Sequence, residues 1–429
     1  MRIAVMKFGG TSVADPEKIQ RAAERAIAAR RRGLGVVAVV SAPGQMTDEL
    51  LTLARRVAAE PDGRELDQLV ATGEQLGVSL FAMACKARGA DAVSLTGPQA
   101  GIEAAGHHTR ARIARIRPGK IARELAAGRI VAVAGFQGES PRGDVATLGR
   151  GGSDLTAVAL ASALKARSCE IFTDVKGIYT ADPRIVPEAR KLEAITFEEM
   201  LELAGAGAEV MQARSLEVAE RFNVPIHVRC AFHPQRGTWI VKRPPRGRSP
   251  FLRAPRGSSG VKGSPLKEAR MEKAYVSALA LDKSEVRLSV VEVPDRPGVA
   301  AQVLSVLASR EIPVDMIVQS APTRSGVNDI SLMTPRPYAE KARLALSEAA
   351  RRLRARVDLN DQVAKVTVVG IGFRHHPWVA ARMFEALARH RINIHMIVAS
   401  DLRISCVVDL RNGEAALRAL HKAYGLGRK

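Results

Sequence analysis

A short stretch of the chain, residues 147–154, combines residue types that bind anions. Its sequence, TLGRGGSD, leads directly into an apolar run that predicts a helix. Glycines let backbone amides approach an anion closely, and the first-turn N–H groups of a helix lack partners within the helix. Arg150 adds a planar donor for a carboxylate or phosphate, while Ser153 and Asp154 add a hydroxyl and a carboxylate. Taken alone, the stretch is equally consistent with a capped loop before a core helix.

A second junction of the same kind lies at the start of the chain. An apolar strand over residues 3–8 breaks at Gly9 and Gly10, and a helix is predicted after Asp15 and Pro16. The sequence has neither the glycine-rich loop of P-loop NTPases nor that of Rossmann dinucleotide-binding proteins. We therefore expect an α/β fold with a phosphate site of another kind.

Polar loops follow other predicted strands. The apolar run 35–41 ends in the flexible stretch 41–47, and a helix over 66–88 carries Glu74. Ligands of open α/β sheets bind beyond the carboxyl ends of the strands, so the loops after residues 8 and 40 should lie at one edge. Further strands are predicted at 92–95, 130–135, 170–173 and 225–228.

Composition narrows the class of protein. A chain of 429 residues should form two or three domains, and 46% apolar residues with 4% aromatics favour α/β layers. The four cysteines lie far apart without a C-x-x-C pair, which suggests reduced, buried thiols in a cytoplasmic protein. The net charge of +21 raises the possibility of nucleic-acid binding, but the arginines are scattered. We expect no nucleic-acid partner and no membrane span.

A basic segment rich in Pro, Gly and Ser separates the two halves of the chain. It covers residues 242–273 and has no hydrophobic periodicity, as is typical of a linker. We therefore predict four segments: a catalytic domain at 1–241, this linker, a small domain at 274–360 and another at 361–429.

The second half contains an internal repeat. Residues 297–320 return as 377–400 with identical spacing, a period of eighty residues. Each copy predicts the order strand, helix, strand, strand, helix, and neither has a catalytic set of its own. Paired regulatory or dimerising modules are the favoured interpretation.

Four motifs, taken in order, resemble the aspartate kinases of the amino-acid kinase superfamily. They are residues 7–12, 147–154, 173–179 and 182–184, and the two repeats resemble the paired ACT domains of the same family. The resemblance covers essentially the whole chain except the basic linker. It implies an α/β fold: an αβα sandwich with a largely parallel central sheet, followed by two α+β ferredoxin-like ACT domains.

The resemblance also implies an activity. Aspartate kinases transfer a phosphoryl group from ATP to the side-chain carboxylate of L-aspartate, giving 4-phospho-L-aspartate and ADP, the first step of lysine, threonine and methionine biosynthesis. A carboxylate is already a nucleophile and needs no base, so cations must bring the two anions together. Mg²⁺ is expected to be held largely by ATP and water.

Matching positions imply roles for individual residues. Lys7 would stabilise the transferring phosphoryl group, assisted by amides around Gly9 and Gly10 and by the hydroxyls of Thr11, Ser12 and Ser41, and Asp154 would orient Lys7. Arg150 would bind the α-carboxylate of aspartate and Glu74 its ammonium group, with Ser41, Thr47 and Ser153 as further contacts. For Glu74 the alternative is a helix-surface acid. The nucleotide side would consist of Lys7, Gly9, Gly10, Thr173, Asp174, Tyr179 and Arg184.

The sequence departs from the family pattern at several positions. Many relatives have lysine in a Gly-Ala-Lys turn that reaches ATP, whereas here the third residue is Glu209. The family senses lysine or threonine through its ACT domains, and the matching effector positions are Asp295, Gly298, Ala300, Gln319, Asn393 and Ile394. Ser320, Asn328, Trp378 and Ala399 differ from the usual Asn, Thr, Gly and Thr. We therefore expect inhibition by lysine or threonine to be weakened or altered.

Three other functions remain to be weighed. One is another amino-acid kinase acting on glutamate or acetylglutamate, against which Glu74, Arg150 and the two repeats argue. A second is a non-catalytic amino-acid sensor, against which Lys7 and Asp154 argue, and the third is a nucleic-acid binder. The resemblance further implies a homodimer or higher oligomer through the ACT domains. A shorter regulatory subunit is possible, since some relatives begin one where Met271 stands here.

Overall fold

The computed structural model describes residues 1–208, 210–243, 275–322 and 326–427. The chain forms two compact units. The first comprises Met1–Ile178, Lys191–Ala204 and the described part of 209–250, and the second comprises Tyr179–Arg190, Gly205–Ala208 and the described part of 251–429. The predictions made for Glu209, for most of the basic linker and for Met271 lie outside the described residues.

The first unit contains both strands and helices. Its strands are β1 (Ile3–Phe8), β2 (Gly35–Val40), β3 (Ala92–Leu95), β4 (Ile102–Ala105), β5 (Arg112–Ile116), β6 (Ile130–Ala134), β7 (Gln137–Glu139), β8 (Val145–Thr147), β9 (Cys169–Thr173), β10 (Ala194–Thr196), β11 (Ile226–Cys230) and β12 (Thr238–Val241). Its helices are α1 (Pro16–Arg31), α2 (Met46–Val57), α3 (Gly63–Lys86), α4 (Gly119–Ala126), α5 (Gly152–Ala163), α6 (Phe197–Gly205) and α7 (Ala213–Arg221), and the last residue of α6 belongs to the second unit.

The large sheet of this unit has eight strands in the order β10-β12-β11-β9-β1-β2-β6-β3. Neighbouring strands run parallel except β11 and β12, which are antiparallel. Every residue of β2 and β6 is buried, as expected for apolar strands covered on both faces. The predicted largely parallel sheet is therefore confirmed.

Strand β1 lies in the middle of this sheet. It pairs with β2 and β9, and Lys7 stands opposite Val39 and Ile171. The following residue, Phe8, is buried and stacks on Phe172 with ring centroids 4.9 Å apart. This apolar contact fixes the carboxyl end of β1 against β9, and the loop carrying the first two glycines starts there.

A small four-stranded sheet, in the order β5-β4-β7-β8, was absent from the sequence prediction. Its strands have only three to five residues, too few for a clear alternation of apolar and polar side chains. The chain enters it from β6 through Phe136, which has a φ of 66°. This sheet ends at Thr147, so it sets the starting point of the glycine-rich stretch that precedes α5.

The second unit contains two four-stranded antiparallel sheets. Its strands are β13 (Tyr275–Asp282), β14 (Glu285–Pro294), β15 (Asp315–Gln319), β16 (Val327–Pro335), β17 (Arg356–Asn360), β18 (Val363–Ile371), β19 (Met396–Ala399) and β20 (Arg403–Asp409). Its helices are α8 (Val299–Ala308), α9 (Ala339–Leu353), α10 (Trp378–Arg389) and α11 (Gly413–Ala423). The sheet orders are β15-β16-β14-β17 and β13-β18-β20-β19. The two α+β repeats of the predicted fold class are thus confirmed.

The first strand of this unit, β13, pairs with the second repeat. It runs antiparallel to β18, with Tyr275 opposite Ile371 and Asp282 opposite Lys365. In sequence these residues fall in the predicted segment 274–360, which otherwise corresponds to the first repeat. The repeat pattern did not reveal this exchange because it begins only after β13.

A buried lysine joins the two repeats. Lys365 on β18 is 2% exposed, and its Nζ lies 2.8 Å from Glu285 and 2.6 Å from Asp315. Asp282 lies 3.7 Å away, and Nζ also donates to the Gly205 carbonyl at 3.4 Å. Burial alone would lower the pKa of Lys365, but Glu285 and Asp315 outweigh burial and raise it.

The segment Tyr179–Arg190 also belongs to the second unit. Ala189 forms a β-bridge with Gly427, and the Thr180 hydroxyl lies 3.0 Å from Nε2 of His421. Tyr179 packs against the apolar core of the second repeat. A stretch adjacent in sequence to β9 therefore folds with the second unit.

Candidate active site

The carboxyl end of β1 and the first turn of α5 bring Lys7 and Asp154 together. The Nζ atom of Lys7 lies 2.7 Å from Oδ1 of Asp154, and their side chains are 13% and 11% exposed. A Cβ at position 9 would lie 3.3 Å from Nζ, so glycine leaves room around the ammonium group. The predicted catalytic pair is thus in contact at the edge where ligands of α/β sheets bind. Its role stays a prediction.

The loop after β1 packs closely on the loop after β2. A Cβ on Gly10 would lie 2.9 Å from the Ala42 carbonyl oxygen, and the Gly44 amide donates to the Gly10 carbonyl at 3.0 Å. The two loops expected to lie at one edge of the sheet are therefore in contact. Thr11 is exposed and Ser41 is partly exposed at this edge, while Thr47 is the second residue of helix α2.

Two of the residues expected near the phosphoryl group contact β9. The Gly9 amide donates to the Phe172 carbonyl at 3.3 Å, and the Ser12 hydroxyl donates to the same oxygen at 3.3 Å. Ser12 is also buried. These bonds tie the glycine loop to β9, and the phosphoryl contacts expected from the amides around Gly9 and Gly10 and from the Ser12 hydroxyl stay predictions.

Glu74 is a buried acid with an incompletely satisfied carboxylate. It is 3% exposed, Oε1 accepts the Ala42 amide at 3.1 Å, and Oε2 has no hydrogen-bond partner among the described residues. Burial raises the pKa of Glu74 to about 7. A helix-surface acid is therefore excluded. A buried carboxylate oxygen without a donor is expected where a ligand supplies the donor.

Small residues allow α3 to place Glu74 against the loop after β2. A Cβ on Gly77 would lie 2.7 Å from the Ser41 carbonyl oxygen, and one on Gly73 would lie 2.8 Å from the Ala42 side chain. These two glycines are one helical turn apart, and Glu74 lies between them in the sequence of α3. The helix consequently approaches the loop closely enough for the contact between Glu74 and Ala42.

Arg150 lies on the loop between β8 and α5. Gly149 and Gly151, on either side, both have a φ of 74°, a conformation that glycine adopts without strain. Arg150 is exposed, whereas Ser153 is buried next to Gly135, where a Cβ would lie 2.5 Å from the Ser153 hydroxyl. The stretch 147–154 therefore presents one cation outward and keeps Ser153 and Asp154 in the first turn of α5.

The predicted nucleotide residues fall in both units. Thr173 and Asp174 end β9 in the first unit, and the Thr173 hydroxyl donates to Asp174 at 3.0 Å. Tyr179 and Arg184 belong to the second unit. The guanidinium group of Arg184 lies 2.7 Å from Asp182 and lowers the pKa of that carboxyl. Arg184 is thus engaged with an acid in the ligand-free chain.

The predicted effector positions all lie in the second unit. Asp295 accepts a hydrogen bond from Nδ2 of Asn328 at 3.0 Å, and Gly298 has a φ of 90° before α8. Gln319 ends β15, and Asn393 and Ile394 precede β19, while Ala300 lies in the first turn of α8. Oδ1 of the buried Asn328 has no hydrogen-bond partner within the described ranges. Asn328 is one of the family departures noted in the sequence.

Comparisons with known proteins identify the family. The model of the amino acid kinase family matches residues 2–230, and an ACT domain model matches 284–350 and 366–424. An aspartokinase from Mycolicibacterium smegmatis is 44% identical over 100% of this chain and 97% of its own. The chain belongs to the aspartokinase family. It is accordingly an ATP-dependent aspartate kinase with ACT domains.

Two crystal structures of an aspartokinase resemble the whole chain. Escherichia coli aspartokinase III in complex with aspartate and ADP, in the R-state, matches with a TM-score of 0.79 and 25% identity, over 98% of this chain and 99% of its own. The same enzyme in complex with lysine and aspartate, in the T-state, matches with a TM-score of 0.72 and 26% identity, over the same shares of both chains.

Sequence reasoning missed several residues around the site. The buried Asp67, seven residues before Glu74, had no recognisable motif, and Phe136 gave no sign of its positive φ. The spacing of Asp67 and Glu74 on one predicted helix was the one signal available. No described helix combines the length and apolar character needed to cross a membrane.

Proposed function

We propose that Lys7, Asp154, Glu74 and Arg150 carry the aspartate kinase reaction in this chain. The observation that supports this assignment most strongly is the 2.7 Å ion pair between Lys7 and Asp154 at the carboxyl end of the central strand. It lies in the same unit as the incompletely paired Glu74 and the exposed Arg150. These groups together provide a cation for the phosphoryl group, an acceptor for an ammonium group and a donor for a carboxylate.

Lys7 stabilises the phosphoryl group during transfer. A side-chain carboxylate oxygen of aspartate forms a bond to the γ-phosphorus of ATP while the bond from that phosphorus to the β-γ bridging oxygen breaks, releasing ADP. No proton has to move in this step. The reacting groups are all anionic, so a fixed ammonium group with room around it lowers the barrier electrostatically. Asp154 holds that ammonium group in place.

Glu74 and Arg150 select the amino-acid substrate. Oε2 of Glu74 is buried without a donor among the described residues, and the ammonium group of aspartate supplies one. Arg150 is exposed on its glycine loop and binds the α-carboxylate through its planar guanidinium group. Thr47, Ser41 and Ser153 add neutral contacts.

The nucleotide is proposed to bind near the end of β9. Thr173 is the last residue of that strand and Asp174 follows it, and Tyr179 and Arg184 complete the assignment made from the sequence. The described residues contain no group of three side chains suited to hold a metal ion. Mg²⁺ is therefore proposed to bind to the phosphate oxygens and water, and the exposed carboxylate of Asp174 suits a contact with that hydrated ion.

Trapping of the product with hydroxylamine tests this assignment. An acyl phosphate reacts with hydroxylamine to give a hydroxamate, so aspartate, glutamate and acetylglutamate can be compared with MgATP in one assay. Hydroxamate formation with aspartate alone is expected. Activity with glutamate or acetylglutamate instead would contradict the substrate assignment, and aspartate turnover unchanged in Lys7→Ala would contradict the assignment of Lys7.

Regulation is proposed to act through the two ACT repeats. Lysine or threonine is the proposed effector, and its proposed contacts are Asp295, Gly298, Ala300, Gln319, Asn393 and Ile394. The proposed domain boundaries place the catalytic segment 1–241 before the linker and the ACT segments 274–360 and 361–429 after it. A homodimer or higher oligomer through these repeats is proposed, with a shorter regulatory subunit as a further product. All four cysteines are free and buried, which supports a reducing, cytoplasmic location.

A further inference from the structure

The buried acid Asp67 lies at the base of the loop that carries Arg150. Asp67 is 0% exposed on α3, and both of its carboxylate oxygens accept the Thr109 amide at 3.0 Å. It also accepts the Thr147 amide at 3.0 Å and the Thr147 hydroxyl. Nδ1 of His108 lies 2.9 Å from the same carboxylate. Thr147 ends β8, so Asp67 ties that strand end to α3.

The residues next to Thr147 are held from other directions. The Ala111 amide donates to the Thr147 carbonyl at 2.9 Å, and the Leu148 amide donates to the Phe136 carbonyl at 2.8 Å. Arg214 on α7 donates to the Leu148 carbonyl at 2.8 Å. The chain is therefore fixed up to Leu148.

Beyond Leu148 the loop is held by the first turn of α5, where the Gly152 amide donates to the Gly149 carbonyl at 3.0 Å and the Leu155 amide donates to the Gly151 carbonyl at 3.1 Å. Arg150, between Gly149 and Gly151, is exposed. The position that Arg150 can reach therefore depends on the fixed residues on both sides of it, and Thr147 belongs to the preceding side. Asp67 is the side chain that holds Thr147, the residue three positions before Arg150, against the rest of the site.

The same helix carries Glu74, the proposed ammonium-binding residue. Asp67 and Glu74 are seven residues apart, which places them on one face of α3 with an axial separation of about 10 Å. Asp67 fixes the base of the Arg150 loop, and Glu74 accepts the Ala42 amide of the loop after β2. The single helix α3 thus sets the spacing between Glu74, proposed to bind the ammonium group of aspartate, and Arg150, proposed to bind its α-carboxylate.

We propose that Asp67 is a positioning residue for aspartate recognition, which acts by holding Thr147 so that Arg150 meets the α-carboxylate. This inference rests on the proposed function. An aspartate offers two acceptor oxygens, whereas an asparagine offers one. Asp67→Asn consequently keeps the size of the side chain but removes the negative charge and one of the two oxygens that Thr109 and Thr147 share, so the hold on Thr147 is weakened.

The test compares Asp67→Asn and Thr147→Val with a matched control. Thr147→Val removes the hydroxyl alone and keeps the backbone contact. The control is Glu199→Gln, because Glu199 is also fully buried and accepts the amide and the hydroxyl of a threonine, Thr196, at 3.0 Å each. KM is measured separately for aspartate and ATP. The ratio of kcat/KM for aspartate to that for its α-amide reports recognition of the α-carboxylate.

Asp67→Asn is expected to raise the KM for aspartate by about ten- to a hundredfold, the range for losing a group that orients a binding residue. Thr147→Val should act in the same direction, by less. In both variants the KM for ATP should stay within about twofold, and discrimination against the α-amide should fall along with the affinity for aspartate. Glu199→Gln should leave all three quantities within about twofold.

A different pattern would overturn the inference. Equal losses for aspartate and ATP, or full retention of discrimination against the α-amide, would mean that Asp67 serves only the fold. If Asp67→Asn does not fold, Thr147→Val decides the question by the same ratio. Absence of aspartate turnover in the unmodified chain would instead contradict the proposed function, so the two failures are distinguishable.

Discussion

Two lysines of this chain lie against buried acids, and their surroundings differ. Lys7 in the first unit has one carboxylate partner, Asp154, and a glycine beside its ammonium group. Lys365 in the second unit has Glu285 and Asp315 in direct contact, Asp282 nearby and a carbonyl from Gly205. The ammonium group of Lys365 is fully surrounded by protein acceptors, whereas that of Lys7 retains room for a ligand.

The difference separates a structural cation from a catalytic one. A buried ion whose charge is fully compensated by protein groups favours one specific packing of those groups, but it has no hydrogen-bonding capacity left for a substrate. A cation with one acid and an adjacent glycine has capacity left for an incoming phosphoryl group. Both lysines are conspicuous in the structure, but the sequence motif singled out Lys7 alone.

The largest expected effect concerns stability. Lys365→Met leaves three carboxylates close together without their cation, so the free energy of unfolding should fall by about 3–5 kcal/mol. Lys7→Ala leaves one carboxylate, Asp154, in the first turn of α5, where the helix dipole favours a negative charge, and should change the free energy of unfolding by about 1 kcal/mol or less. Urea unfolding monitored by circular dichroism measures both. Equal losses in the two variants would remove the distinction between the lysines.

The next effect concerns binding of the substrate ammonium group. Glu74→Gln removes the charge from the acceptor proposed for the ammonium group, and loss of one partner of such a desolvated pair weakens binding by about 2–5 kcal/mol. The KM for aspartate should therefore rise strongly, with little change in the KM for ATP. Steady-state kinetics in both substrates provide the measurement. A shift confined to ATP would place Glu74 outside the aspartate site.

The pH dependence of binding follows from the pKa of Glu74, which burial raises to about 7. Glu74 must be ionised to accept the ammonium group, while aspartate keeps the same charges between pH 6 and pH 8. The KM for aspartate should rise by about tenfold from pH 8 to pH 6, because the ionised fraction falls by that factor. In Glu74→Gln this dependence should disappear, and a wild-type slope in that variant would contradict the assignment.

The same raised pKa predicts a change in stability of the ligand-free chain. Between the unfolded value of 4.5 and about 7, the folded chain holds a proton that the unfolded chain has lost. Stability should therefore decrease as pH rises through this window, by about 3 kcal/mol in total from this group. Glu74→Gln should remove that contribution, which pairs of urea titrations at pH 5 and pH 8 can detect.

The smallest expected effect concerns regulation. Trp378 is exposed at the first position of α10, and the guanidinium group of Arg382 lies 5.2 Å from its ring. Trp378→Gly restores the residue usual in relatives and should strengthen inhibition by lysine or threonine by less than about tenfold, since Ser320, Asn328 and Ala399 remain. Activity titrations with each amino acid check this, with Arg382→Ala as a control that keeps the tryptophan.

The sequence predicted the positions of the main strands along the chain, because buried parallel strands read as continuous apolar runs. The family resemblance implied that Asp154 orients Lys7, and the structure places the two side chains in contact. The short strands β4, β5, β7 and β8 carry no such pattern. The pairing of β13 with β18 was not predicted either, because an internal repeat does not indicate which of its two sheets a preceding strand will join.

The details of hydrogen bonding were also beyond the sequence. The family motif placed the amides around Gly9 and the Ser12 hydroxyl near the phosphoryl group, but it did not indicate that both also donate to the Phe172 carbonyl. Asp67 was overlooked because a lone acid on a predicted helix is typical of a solvated face. Its burial depends on packing, which the sequence does not show.

The most direct test of the account compares Lys7→Ala and Lys365→Met in the hydroxamate assay, at a temperature where circular dichroism shows both variants folded. Lys7→Ala should form aspartyl hydroxamate at less than about a thousandth of the unmodified rate, the scale expected for loss of the group that stabilises transition-state charge. Lys365→Met should stay within about tenfold of that rate. Retained activity in Lys7→Ala, with activity lost in folded Lys365→Met, would contradict the assignment of catalysis to Lys7.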